Sequence, residues 1–204
     1  DLRELSMLRD LAGYERFLRQ LAIYAAQPLN VSAIGSSIGQ KQSTVAEWLS
    51  ITESAYLYRR IPGYHRKLGR RESKRPKGLF VDSGLTVALL GYQTAEQLEA
   101  SPLLGRVFES AAITLVSQTL AQGLPLFHWR VDEEREVDLV AELSADVLVP
   151  IEFKMTARPS VDDVKGLQLF SKSYREATCG ILVTLNEECF WITDSILHVP
   201  LAML

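Results

Sequence analysis

The sequence predicts an α/β protein in two parts: a helical domain over residues 1–100 and an α/β domain with a mixed central sheet over residues 101–204. Three observations carry this. Apolar residues recur at helical spacing in the first half, as in Phe17, Leu18, Leu21, Tyr24 and Ala25. Short stretches rich in Val, Leu and Ile dominate the second half, at both ends of Arg135–Lys154 and through Thr178–Leu185. Between them, Ser101-Pro102-Leu103-Leu104-Gly105 reads as a boundary.

Taken in order, Asp1 to Gln27 reads as two helices broken near Gly13. Asn30 or Ser32 caps a helix that ends near Gly39. After a turn over Gln40 to Ser43, a further helix runs to about Ala55 with Val45, Trp48, Leu49 and Thr52 inward. Two short helices joined by a tight polar turn resemble a helix-turn-helix. That reading sets Gln40, Lys41, Gln42 and Thr44 where base edges or phosphates are met. An ordinary helical hairpin has the same pattern.

Tyr56 to Ile61 and Gly78 to Val81 read as two strands. The segment between them holds Arg66, Lys67, Arg70, Arg71, Lys74, Arg75 and Lys77, opposed only by Glu72. This is a winged-helix-like arrangement with a basic wing. Such a wing suits a nucleic-acid backbone with strongly salt-dependent binding. An acidic protein surface would suit it as well. Asp82-Ser83-Gly84 caps a helix from Leu85 to Leu90, Gly91 closes it, and Thr94 to Glu99 forms another.

In the second half, a helix from Arg106 aligns Glu109 with Ala112, Ile113, Val116 and Leu120. A carboxylate heading an apolar stripe needs a partner, which a metal, a basic group or the helix dipole supplies. Then come a strand over Leu126–Arg130, the hairpin within Arg135–Lys154, and an amphipathic helix over Ser160–Tyr174. The strand Thr178–Leu185 and two final short strands follow. The order helix, three strands, helix, strand predicts an α/β sandwich. His65, His128 and His198 are widely separated and read as packing or surface residues.

The hairpin carries the chemistry. Strand side chains alternate, so Glu136, Asp138 and Val140 share one face, and Val137, Leu139 and Ala141 the other. Glu152 and Lys154 point the same way, beside Asp138 if the strands pair. Two carboxylates and an amine on an apolar hairpin are costly unless paired, and a hard divalent cation is one partner. Mg²⁺ held there would polarise a phosphate and lower the pKa of bound water. Lys154 would neutralise developing charge. The competing reading is a surface hairpin with a solvated Glu–Lys pair.

The net charge of −3 does not itself announce a nucleic-acid partner. The cysteines, Cys179 and Cys189, fit no zinc spacing and suit a reducing cytoplasmic setting. No apolar run is long enough to span a bilayer, so no membrane partner is expected. The first residue is Asp1, so an upstream part is expected.

The series Asp138, gap, Glu152-Phe153-Lys154 resembles the motif of the PD-(D/E)xK nuclease superfamily, although Val137 stands where that pattern often has Pro. Across the chain, the segments Glu15–Arg19, Thr44–Leu49, Ser54–Leu57, Pro62–Arg70 and Lys77–Leu85 resemble the C-terminal region of prokaryotic AAA-type ATPases called DUF4143. So do Gly105–Glu109, His128–Arg130, Glu136–Val140 and Pro150–Lys154. The resemblance implies a winged-helix part followed by a restriction-endonuclease-like α/β domain. It implies catalytic roles for Glu109, Asp138, Glu152 and Lys154, with Mg²⁺ held by Asp138 and Glu152. Nucleic-acid contacts, to DNA rather than RNA, would come from Lys41 and the basic wing from Arg66 to Lys77. It also implies an ATPase domain upstream in the same polypeptide. No Gly-x-x-x-x-Gly-Lys-Ser/Thr loop is present, so no ATP hydrolysis is expected from these residues. The alternative is a non-catalytic DNA-binding or protein-interaction module that regulates such an ATPase.

Overall fold

The computed structural model describes residues 10–65, 75–121, 123–132 and 135–204. They form two compact units. One takes the described residues within 1–60 and 75–110, the other those within 61–74 and 111–204.

Among the described residues the first unit begins with the helices α1 (Leu11–Ile23), α2 (Val31–Ile38) and α3 (Gln42–Ser54). Asp10 caps α1 by accepting from the Gly13 amide at 2.7 Å. A helix boundary does fall near Gly13, at Asp10, and the first of the two helices expected over Asp1 to Gln27 lies outside the described residues. Gly13 sits in the first turn of α1, where a Cβ would collide with the capping Asp10 carboxylate and with Trp48. Of the two candidate caps for α2, Asn30 takes the role, accepting from the Ala33 amide at 3.2 Å. Gly39 ends α2 at φ 70°, a left-handed conformation that favours glycine.

These helices pack because each buries one apolar face. Phe17, Leu21, Ile34, Val45, Trp48 and Leu49 form a core with Tyr58 and Phe80. Tyr14, Phe17 and Trp48 meet in tilted and edge-on ring contacts at 5.8–5.9 Å between centroids. Burying each such side chain contributes about 1.5–3 kcal/mol. Strands β1 (Tyr58–Ile61) and β2 (Lys77–Phe80) pair as a two-stranded sheet. The short helices α4 (Ser83–Leu89) and α5 (Ala95–Glu99) follow, with Asp82 capping α4 at 2.6 Å from the Gly84 amide.

Helix α6 (Leu104–Thr119) begins in the first unit, and the division falls between Ser110 and Ala111. The second unit is built on a mixed sheet of strand order β3-β4-β5-β6-β8-β7. The strands are β3 (Leu126–Arg130), β4 (Glu136–Ser144), β5 (Val147–Phe153), β6 (Gly180–Thr184), β7 (Phe190–Thr193) and β8 (Ile196–Pro200). β3, β4 and β5 pair antiparallel, β5–β6 and β6–β8 parallel, and β7–β8 antiparallel. A 3₁₀ turn (Val161–Val164) leads into α7 (Lys165–Ser173). Leu167 and Phe170 of α7 join Val137, Val140, Leu148 and Leu182 in one core. Gly166 lets the helix approach β4, since a Cβ there would collide with the Glu136 carbonyl oxygen.

The strict alternation expected of β4 is broken. Phe127 pairs with Val140, but Trp129 pairs with Val137. Asp138 and Leu139 therefore stand against the single residue His128, as in a β-bulge. This is why Val137 and Val140, of opposite parity, share one core.

Tyr56 ends α3 at φ 58° and is 84 % exposed. A left-handed conformation costs an L-residue about 1–2 kcal/mol, and so exposed a ring recovers little of that by packing. Tyr56→Gly should raise stability by up to about 1 kcal/mol, less the entropy glycine adds to the unfolded chain. The urea midpoint reads this; an unchanged or lower midpoint contradicts it.

Candidate functional site

The β4–β5 hairpin pairs Leu139 with Ile151 and Val140 with Pro150. One further step along that register sets Asp138 opposite Glu152. Both carboxylates are nearly out of solvent, at 3 % and 4 % exposure. The Phe153 amide donates to Asp138 Oδ2 at 3.1 Å, so the Asp138 carboxylate lies at the amide between Glu152 and Lys154. Lys154 Nζ lies 2.8 Å from Glu152 Oε1. The Lys154 side chain is 42 % exposed and that of Glu152 only 6 %. The site is thus a buried carboxylate pair with an ammonium at its rim. The Lys154 amide donates to the Val183 carbonyl at 3.0 Å, tying the end of β5 to β6.

Glu109 lies in the first unit, where its Oε1 is 2.6 Å from Lys77 Nζ. Lys77, expected on the exposed wing, is instead completely buried in β2. The apolar environment of β2 makes a solvated ammonium impossible there, and Glu109 supplies the counter-charge. These two predicted site residues therefore engage one another. Lys41, at the start of α3, and Arg75 are exposed. Arg66, Lys67, Arg70, Arg71 and Lys74 lie outside the described residues.

Two histidines read from sequence as packing or surface residues have more defined places. His128 is buried in β3 opposite the bulge, and its backbone bonds to Pro62 and Tyr64. His198 is fully buried in β8. Its Nε2 is 2.8 Å from Thr184 Oγ1 and its Nδ1 is 2.7 Å from the Glu188 carbonyl. Asn186 donates through its amide to Thr184 Oγ1 at 3.1 Å and through Nδ2 to the Ala157 carbonyl at 3.0 Å. This network fixes the loop after β6. Its only sequence signal was a histidine at an inward position of the alternating strand Ile196–Pro200.

Among the described residues, no group of three or more His, Cys, Asp or Glu side chains gathers in a way that could hold a metal. A closed zinc site needs four protein ligands. Mg²⁺ is commonly held by one or two carboxylates, with waters and substrate phosphates completing the shell. The donor set of Asp138 and Glu152 fits that second pattern.

Two substitutions test these pairings. Asp138→Ala leaves the buried Phe153 amide without its acceptor and should cost about 1–3 kcal/mol. Asp138→Asn keeps an acceptor oxygen and should cost less. Equal losses in urea denaturation would mean the hydrogen bond contributes nothing. Glu109→Ala removes the carboxylate 2.6 Å from a buried ammonium and should cost about 3 kcal/mol, much of it recovered by adding Lys77→Met. If the second change deepens the loss, the pair is not the source of the effect.

Residues 104–204 match the model of a family described as a domain of unknown function, DUF4143, and residues 1–96 match that of another, DUF8612. The sequence resemblance extended DUF4143 over the whole chain; its model covers the second part. An uncharacterized protein of Mycobacterium bovis and one of Mycobacterium tuberculosis are each 28 % identical over 206 residues, covering 98 % of this chain. The chain spans 44 % of the length of each of these relatives. No solved structure matches. The motif residues Asp138, Glu152 and Lys154 all fall inside the matched segment, and residues 104–204 form a DUF4143 domain.

Proposed function

We propose that the second unit is a nuclease-like module acting on phosphodiesters, and that the first unit is a winged-helix-like nucleic-acid binder. The observation that carries this reading is the buried pair Asp138 and Glu152 with a half-exposed Lys154 bonded at its edge. Burying two carboxylates on adjacent strands is expensive unless a cation is near. Asp138 and Glu152 would be the protein groups that hold Mg²⁺. When bound, that ion polarises a phosphate oxygen and lowers the pKa of its water. Lys154, exposed enough to reach substrate, would stabilise charge on the phosphate. Glu109 has no part in this proposal because its carboxylate is engaged by Lys77. Lys41, Arg75 and the basic segment from Arg66 to Lys74 would hold the backbone of DNA. An upstream ATPase domain and a cytoplasmic setting belong to the same proposal.

A second reading has its own support. Asp138 already receives the Phe153 amide and Glu152 already pairs with Lys154, so each group has a structural task without substrate. A non-catalytic nucleic-acid-binding module would use Asp138 to tie β4 to β5 and Lys154 to balance Glu152.

One experiment separates them. Cleavage of DNA and RNA is followed with Mg²⁺ and Mn²⁺, alongside metal binding by calorimetry. The nuclease reading expects metal-dependent cleavage that Lys154→Ala slows about 100-fold or more while metal binding persists. It also expects Asp138→Asn to lose metal binding. No cleavage and no metal binding would remove it. Salt-dependent nucleic-acid binding indifferent to Asp138→Asn would then establish the second reading.

A further inference from the structure

The sheet of the second unit ends on an edge with an unusual surface. β7 is outermost, paired only with β8 among the described residues. Its sequence is Phe190-Trp191-Ile192-Thr193, which contains no lysine or proline, and its register against β8 shifts once, between Trp191 and Thr193. Trp191 is 58 % exposed and Phe190 36 %. Such an edge presents backbone groups ready to pair with another strand.

Acidic groups flank it. Glu187 and Glu188 precede the strand and Asp194 follows it, all without a side-chain hydrogen bond or ion pair among the described residues. Glu187 and Glu188 also line a shallow cavity of about 330 Å³ together with Ala157, Leu185 and Asn186. The Leu185 amide and Asn186 Nδ2 bond to the carbonyls of Thr156 and Ala157, so this cavity lies where β5 and β6 end. The edge therefore combines exposed aromatic surface and backbone pairing groups with acidic residues just before and just after the strand.

We propose that the β7 edge docks an extended segment of another protein, with a β-branched centre and Lys or Arg at its ends. Main-chain pairing would supply affinity and the alternate side chains specificity. Basic side chains at its ends would meet Glu187 and Glu188 before the strand and Asp194 after it. A second copy of this chain is a poor occupant. Antiparallel pairing of two β7 strands would bring Glu187 and Glu188 of one toward Asp194 of the other, and opposed like charges destabilise a strand pair. Nucleic acid is excluded by the same acidic flanks.

The probe is a synthetic peptide, Lys-Arg-Thr-Val-Thr-Val-Lys-Arg, titrated into the full chain and followed by amide NMR. Saturable shifts centred on Phe190–Thr193 are expected. Replacing the four basic peptide residues by Glu, or methylating alternate peptide amides, should weaken binding at least tenfold. The triple variant Glu187→Lys, Glu188→Lys, Asp194→Lys should do the same while keeping the rest of the spectrum. Equal binding of acidic and basic peptides, shifts away from β7, no saturable binding, or self-association through β7 would each overturn the proposal.

Discussion

A single buried hydrogen bond, from the Phe153 amide to Asp138 Oδ2, governs the second unit. A backbone amide at that place in an antiparallel pair would ordinarily find a carbonyl on the facing strand. Here a carboxylate takes its place, and the neighbouring strand carries the bulge that brings Asp138 and Leu139 against His128. Asp138 Oδ2 accepts that amide, and Glu152 Oε1 lies 2.8 Å from the ammonium of Lys154. The hairpin's geometry and the site's electrostatics are thus one constraint. Any change that relaxes the bulge also moves the carboxylate.

The first unit solves a similar problem differently. Lys77 sits on a four-residue strand that is buried at every position, and Glu109 in α6 neutralises it. The pair joins residues 32 apart in sequence. Buried ion pairs contribute little net stability but penalise alternative arrangements that separate them. β2 is consequently held in register by charge as well as by the packing of Leu79 and Phe80.

Much of this architecture was legible in the sequence. Periodic apolar spacing located the helices around Phe17 and Trp48, and the Val- and Ile-rich runs located β4, β5 and β6. The register that sets Asp138 opposite Glu152, with Lys154 two residues further on, follows from one hairpin, which is a local rule. The bulge at Asp138 was not legible, because it depends on β3, a separate strand whose register no local pattern specifies. Lys77 was misplaced for a related reason. A lysine beside six other basic residues looks solvated, and only the tertiary position of Glu109 shows otherwise. His198 was hidden because both its partners, Thr184 and the Glu188 carbonyl, reach it only through strand order.

The bonding around His198 settles more than a loop conformation. A carbonyl only accepts, so Nδ1 must carry a proton toward Glu188. In the neutral ring Nε2 then holds the lone pair and receives the hydroxyl proton of Thr184. One tautomer is selected, and neither ring nitrogen retains a vacant lobe. The ring is thus a directional link: it receives from the hydroxyl at the end of β6 and gives to the carbonyl that precedes β7, closing the crossover between those strands over β8.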